Sequence, residues 1–136
     1  MRIHLHADDH SSSRVESLDV ISVESPIQLI KSMNDSFLVY ATASNSICFY
    51  DVQKKTVDLT LKQKSENGMI SAMIFSDAAQ WMITGTSLGF MTLWDLRFGI
   101  AVKSWVLEGE PQVLSLCYIP INGRFSVMTK QRYSSC

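Results

Sequence analysis

The sequence predicts an all-β chain built from repeated four-stranded units, and three observations carry that prediction. Laid on itself, the chain repeats: FLVYATASNSICFYD, Phe37 to Asp51, and WMITGTSLGFMTLWD, Trp81 to Asp95, align without a gap at an offset of 44 residues. Each copy reads as a hairpin. Thr42 matches Thr86 and Asp51 matches Asp95, and apolar positions coincide at Val39 and Ile83, Ile47 and Met91, and Phe49 and Leu93. Asn45 falls on Gly89, and these two residue types best tolerate the positive φ of a tight turn. Several strands are also apolar on both faces. In FMTLW, Met91 and Leu93 point one way and Phe90 and Trp94 the other, so the sheet holding them must be covered on both sides.

The chain opens on HLHADDH, His4 to His10, which holds all three histidines. His4 and His6 on an extended strand share a face, and with Asp8 they offer ligands of the zinc type. The stretch resembles the H-x-H-x-D-H signature of the metallo-β-lactamase fold. It departs from that signature at Asp9, which displaces His10 by one place, and no histidine follows to furnish a second metal site. Residues 1–19 are therefore expected to be a polar loop or the end of a preceding unit, with no metal and no cofactor. A metal-dependent hydrolase using these histidines is the alternative.

Residues 20–66 hold the first full copy, 67–110 the second and 111–136 an incomplete third. The 44-residue offset places Ile30 on Ile74, Ser32 on Ser76, and Ile70 to Met73 on Leu114 to Cys117. It also puts Phe125 in the place of Trp81 and Val127 in that of Ile83. In the second copy four strands are expected, Ile70 to Phe75, Trp81 to Thr86, Phe90 to Trp94 and Val102 to Trp105, divided by turn residues.

Four strands repeating every 44 residues resemble the WD-repeat β-propeller. The motif residues are Trp94 and Asp95 in the second copy, with Tyr50 and Asp51 as counterparts in the first, and Gly85 and Gly89 around the second hairpin. The pattern departs from the family in lacking a Gly-His pair before either copy and in placing Ser87 and Leu88 where a turn aspartate is usual. Degenerate repeats of this kind are expected to hold together more by packing than by the family's buried polar network. The resemblance implies a partial propeller of about three four-stranded blades whose ring is not closed.

A narrower resemblance runs from Val20 to Pro120 and is most specific in WMITGTSLGFMTLWDLRFGIAVKSW. There Gly85, Thr86, Ser87 and Gly89 precede Trp94, Asp95, Arg97 and Phe98. This stretch is similar to the WD-repeat region of the regulatory, protein-kinase-like vacuolar protein sorting subunit of the class III phosphatidylinositol 3-kinase complex. That resemblance implies an interaction scaffold in autophagy and endosomal sorting. Its expected partners are the lipid kinase catalytic subunit and a beclin-type subunit, and its expected location is cytoplasmic, peripheral to endosomal or autophagic membranes by way of those partners. This chain carries no Gly-rich loop, no H-R-D and no D-F-G, so no kinase centre is expected in it. The run W-D-x-R also resembles the box by which WD-repeat substrate receptors dock on the adaptor of a cullin-RING ubiquitin ligase, with Arg97 as its arginine. Arg97 and Phe98 are thus the candidate interaction residues, and the alternative for Arg97 is an ion pair with a nearby carboxylate.

Composition narrows the classes further. Twelve Lys and Arg against 13 Asp and Glu, scattered singly, leave no basic face for nucleic acid. Apolar runs fall well short of the roughly 20 residues that span a bilayer, so no direct membrane insertion is expected. Cys48, Cys117 and Cys136 are odd in number and widely spaced, which argues against a disulfide framework; Cys48 and Cys117 are expected as small hydrophobes in strands. Trp81 and Trp105 are expected to pack between blades, Trp94 in the core, and Asp95 to cap the turn leaving its strand. About three blades do not fill a ring of six or seven. A fragment or truncated product, unstable alone, or a ring completed by another chain, is the expectation, and the end at MTKQRYSSC, midway through the third copy, favours truncation.

Overall fold

Short runs of β-branched and aromatic residues, separated every few positions by Asn, Asp, Gly and Ser, leave the backbone little choice but strand and turn. The computed structural model describes residues 2–9, 14–23, 25–76 and 78–130, with side chains described from residue 20 on, Pro120 excepted. An antiparallel hairpin of β1 (Arg2–Asp9) and β2 (Arg14–Ser22) comes first. A four-stranded meander follows, β3 (Ile27–Met33), β4 (Phe37–Thr42), β5 (Ser46–Asp51) and β6 (Thr56–Lys62), paired in chain order. The second meander is β7 (Ile70–Phe75), β8 (Trp81–Thr86), β9 (Phe90–Asp95) and β10 (Ile100–Val106). A final hairpin joins β11 (Gln112–Ile119) to β12 (Arg124–Lys130).

These are propeller blades, and the four strands expected for the second copy are the four found, the last two slightly longer than expected. The first strands of the two meanders and of the last hairpin, β3, β7 and β11, lie side by side. Lys31 on β3 donates through Nζ to the Met73 carbonyl on β7 at 2.9 Å, and the Ser71 hydroxyl on β7 donates to the Val113 carbonyl on β11.

Three apolar layers separate the sheets. Leu38 and Tyr40 meet Ile21 and Val23 between the leading hairpin and the first blade. Val39, Ile47, Phe49 and Leu61 of the first blade meet Ile70, Met73, Met82 and Trp94 of the second. Ala72, Ile74, Ile83 and Met91 then meet Val113 and Leu116 of the last hairpin. The doubly apolar strands read from the sequence are covered in this way on both faces. Among the described residues no helix is long and apolar enough to cross a membrane.

Four expectations need correction. For residues 1–19 a polar loop or the end of a preceding unit was expected; the loop alternative gives way to strand, since β1 and β2 pair along their lengths, and Val20 to Ser22, placed with the first blade, belong to β2. The 44-residue offset holds for β4–β5 against β8–β9, but the first strands are offset by 43. Ile27 pairs with Thr42 as Ile70 does with Thr86, so Ile27, not the residue before it, corresponds to Ile70, and Lys31, not Ile30, takes the place of Ile74. The cause is the turn before Trp81, one residue longer than the turn before Phe37. In the last hairpin Val113 pairs with Thr129, so Val113 rather than Leu114 corresponds to Ile70, and Arg124 rather than Phe125 to Trp81. Burial follows this register, because a slip of one residue exchanges the two faces of a strand: Val113 is inaccessible and Leu114 exposed. Finally, Cys117 lies on a strand but is exposed, so it is no core hydrophobe.

Candidate interaction surface

The two blade hairpins are built around a threonine and a left-handed residue. Asn45 has φ 61° and Gly89 φ 75°, the conformation the turn requires at both. The Thr86 hydroxyl accepts from the N–H groups of Leu88 at 3.2 Å and Phe90 at 3.1 Å and donates to the Asn67 carbonyl at 2.6 Å. Thr42 accepts from the Ser46 N–H at 3.2 Å in the same role. Asn45 does more than turn the chain. Its Nδ2 donates to the Gly68 carbonyl at 2.7 Å and its Oδ1 accepts from the Ile70 N–H at 3.4 Å, so the first blade's hairpin is fastened to the start of the second blade. The sequence reading assigned Asn45 its backbone role and missed this bridge. The available signal was the choice of Asn, with its donor and acceptor, where glycine would have served the turn alone.

At the opposite ends of β5 and β9 stand the motif residues. The Trp94 indole N–H donates to the Thr84 hydroxyl at 3.0 Å inside the core. Tyr50 holds the matching position against the leading hairpin. Asp51 accepts from the N–H groups of Gln53 and Lys54 at 2.9 and 3.0 Å, closing the turn into β6. Asp95 accepts from the Arg97 N–H at 2.9 Å, and its two oxygens also take Arg97 Nε at 3.2 Å and an Arg97 terminal nitrogen at 2.9 Å. The Arg97 hydrogen bond holds the Asp95 carboxyl below its ordinary range, and the same pair raises the guanidinium. The guanidinium carbon also sits 5.4 Å from the Phe98 ring centroid, and Phe98 is 72% exposed. Arg97 is thus engaged locally while Phe98 projects from the turn.

Gly85 marks a close approach between blades. A Cβ there would lie 2.6 Å from Val113 Cγ1, with no positive φ involved. Beside it Trp81 meets Tyr118 edge to face at 5.2 Å, and Trp105 meets Phe125 at 6.3 Å, both across the boundary between the second blade and the last hairpin. Toward the outer half of that boundary opens a groove of about 400 Å³, walled by Trp81, Ile83, Leu93, Val102 and Phe125, with Gln80, Asp95 and Arg97 among its polar lining. The sequence reading did not assign this groove. Elsewhere, burial and the neighbouring Cys48 push the Tyr40 phenol up to about 12. No group of three or more His, Cys, Asp or Glu side chains converges among the described residues. The side chains of His4, His6 and Asp8, and the whole of His10, lie outside those described.

No family model matches the chain. The serine/threonine-protein kinase VPS15 of Arabidopsis thaliana is 32% identical over 91 residues, 65% of this chain and 6% of that protein. A probable serine/threonine-protein kinase vps15 of Dictyostelium discoideum is 37% identical over 71 residues, 52% of this chain and 4% of that protein. The chain is related to the WD-repeat region of VPS15. It spans only about 6% of the length of the Arabidopsis VPS15, so the activities of a whole VPS15 are not thereby its own. Among solved structures, the β-propeller domain of Myceliophteria thermophila Cps50 (Swd1) superposes with a TM-score of 0.69 over 79% of this chain and 34% of that one, at 15% identity. That likeness fixes the fold as propeller and says nothing of partners.

Proposed function

We propose that this chain is a non-catalytic protein-interaction scaffold of the class III phosphatidylinositol 3-kinase complex, meeting the lipid kinase catalytic subunit and a beclin-type subunit. In this reading it works in the cytoplasm, held at endosomal or autophagic membranes through those partners, in autophagy and vacuolar sorting. The observation that carries it is the similarity to VPS15, 32% identity over 91 residues of this chain. The structure adds physical support: the polar residues of the repeat hairpins hold turns and blades together. Thr84, Thr86 and Asn45 are buried and bonded, and Asp95 holds Arg97. Among the exposed apolar features are Phe98 and the groove, both of a kind that recognises other polypeptides.

The test is affinity purification of the tagged chain from cells, with co-purifying proteins identified by mass spectrometry. Recovery of the lipid kinase and beclin-type subunits is expected, and Phe98→Ala should weaken it without changing the circular dichroism of the purified chain. Recovery of a cullin-RING adaptor instead, lost on Arg97→Ala, would replace this reading by the ligase-receptor one.

A further inference from the structure

The sequence holds two Asn-Gly pairs, Asn67-Gly68 before β7 and Asn122-Gly123 before β12, and the fold treats them differently. Such a pair is chemically exposed because glycine has no Cβ to stand between the asparagine side-chain carbonyl and the next peptide nitrogen. The first pair is held. Asn67 is half-buried, its carbonyl accepts from the Thr86 hydroxyl at 2.6 Å, and the Gly68 carbonyl accepts from Asn45 Nδ2 at 2.7 Å. A Cβ on Gly68 would meet both Leu88 Cγ and the Leu88 nitrogen at 2.9 Å, so this backbone has no room to rearrange.

The second pair is open. Asn122 and Gly123 are exposed in the turn between β11 and β12, and nothing lies within 4 Å of where a Gly123 Cβ would stand. Exposure belongs to this turn's place in a blade: the matching turn of the first blade, Asn34 to Ser36, is exposed although that blade has apolar layers on both faces. Gly123 takes a left-handed φ of 66°, and Asn122 Oδ1 accepts from the Arg124 N–H at 3.1 Å. That bond folds the side chain back along the following backbone and draws electron density from Cγ.

We propose that Asn122 is a site of covalent modification, converted through a cyclic imide with Gly123 to aspartate and isoaspartate, the latter a substrate for a methyltransferase that esterifies isoaspartyl carboxylates. The Gly123 nitrogen gives its proton to hydroxide or water and attacks Asn122 Cγ. The N–Cγ bond forms, the Cγ–Nδ2 bond breaks, and ammonia leaves after taking a proton back from solvent. Water then opens the ring at either carbonyl. Opening at Cγ gives aspartate, whereas opening at the main-chain carbonyl routes the chain through Cγ and gives isoaspartate. In sum one water enters and one ammonia leaves, with nothing oxidised or reduced. Methylation then moves a methyl group from the sulfonium of S-adenosylmethionine to a carboxylate oxygen.

Either hydrolysis product puts a carboxylate where an amide stood, and isoaspartate lengthens the backbone leading into β12 by one methylene. Gly123 lines the groove together with Arg97, so the new charge arises beside the candidate surface. The proposal rests on the turn's geometry and is independent of the partners proposed above.

Incubation of the folded full chain at mildly alkaline pH tests it, read by peptide mapping with mass spectrometry and by labelling with an isoaspartate methyltransferase and radiolabelled S-adenosylmethionine. The amide-to-acid mass change and the label are expected in the peptide holding Asn122 ahead of the one holding Asn67, faster as pH rises. A chain unfolded in urea should lose that preference. Asn122→Gln, which would have to close a larger ring, should lose the label from that peptide, and circular dichroism reports its folding separately. No change at Asn122 after an incubation that modifies the urea-unfolded chain overturns the proposal. So does modification of the folded chain that reaches Asn67 first or equally, or label in the Asn122 peptide that survives Asn122→Gln.

Discussion

Gly85→Ala is the sharpest test of how the second blade packs on the last hairpin. The added methyl would sit 2.6 Å from Val113 Cγ1, 2.9 Å from its Cβ and 3.0 Å from its Cγ2, all well inside contact distance. The backbone around Gly85 is ordinary strand, so the cost is steric and not conformational. Val113 is inaccessible to solvent, and its carbonyl accepts from Ser71, which limits how far the strand can retreat. Overpacking of this kind costs about 1–3 kcal/mol. For a chain of this size each kcal/mol is worth about 3–5 °C in Tm. Val113→Ala alone removes two buried methyls and should cost about 2 kcal/mol. In the double variant the two closest methyl contacts vanish while the 2.9 Å contact with Cβ stays, so relief is partial and a favourable coupling of about 1–2 kcal/mol is expected. Urea unfolding of all four proteins, followed by tryptophan fluorescence, measures it. Additive losses, or a Gly85→Ala variant as stable as the parent, would refute the contact between these two strands.

Three further outcomes follow from the same geometry. Trp94→Phe removes the donor to the buried Thr84 hydroxyl and should cost about 1–3 kcal/mol in urea unfolding, whereas adding Thr84→Val to it should recover part of that loss. Asn45→Ala loses the bonds to Gly68 and Ile70 and puts a residue less tolerant of the left-handed region at that φ, so it should destabilise by about 2–3 kcal/mol; Asn45→Gly keeps the turn and should cost less, as thermal unfolding of the pair will show. Tyr40 is buried as the neutral phenol, with its pKa raised to about 12 from 10.0. Between those values the unfolded chain loses the proton and the folded chain keeps it, so stability is full below pH 10 and declines as pH rises toward 12. Urea midpoints across that range should fall less for Tyr40→Phe than for the parent.

The architecture was legible because burial on both faces leaves a plain mark: Phe90 to Trp94 has no polar side to give to water, and only stacked sheets satisfy it. The hairpin turns were legible from Asn45 and Gly89, since few residues tolerate the φ they adopt. The register of the first strands was not. Ile30 and Ile74 look equivalent in an unbroken offset, and one extra residue in the turn before Trp81 moves every partner by one. Residues 1–19 left a polar loop and the end of a preceding unit both open because HLHADD is poor in β-formers, and the pairing of β1 with β2 outweighs that local preference. Among the motif residues, the places of Trp94 and Asp95 follow from their position at a strand end. The inter-blade bonds of Asn45, Lys31 and Ser71 span distances that no local pattern encodes.

In the proposed role these blades are a binding surface for the lipid kinase complex. Binding of a purified heterodimer of the lipid kinase and beclin-type subunits to the immobilised 136-residue chain measures that role. Saturable binding that Phe98→Ala weakens, with the variant's Tm unchanged, is the predicted result. A folded chain that binds no heterodimer at any concentration tested would contradict it.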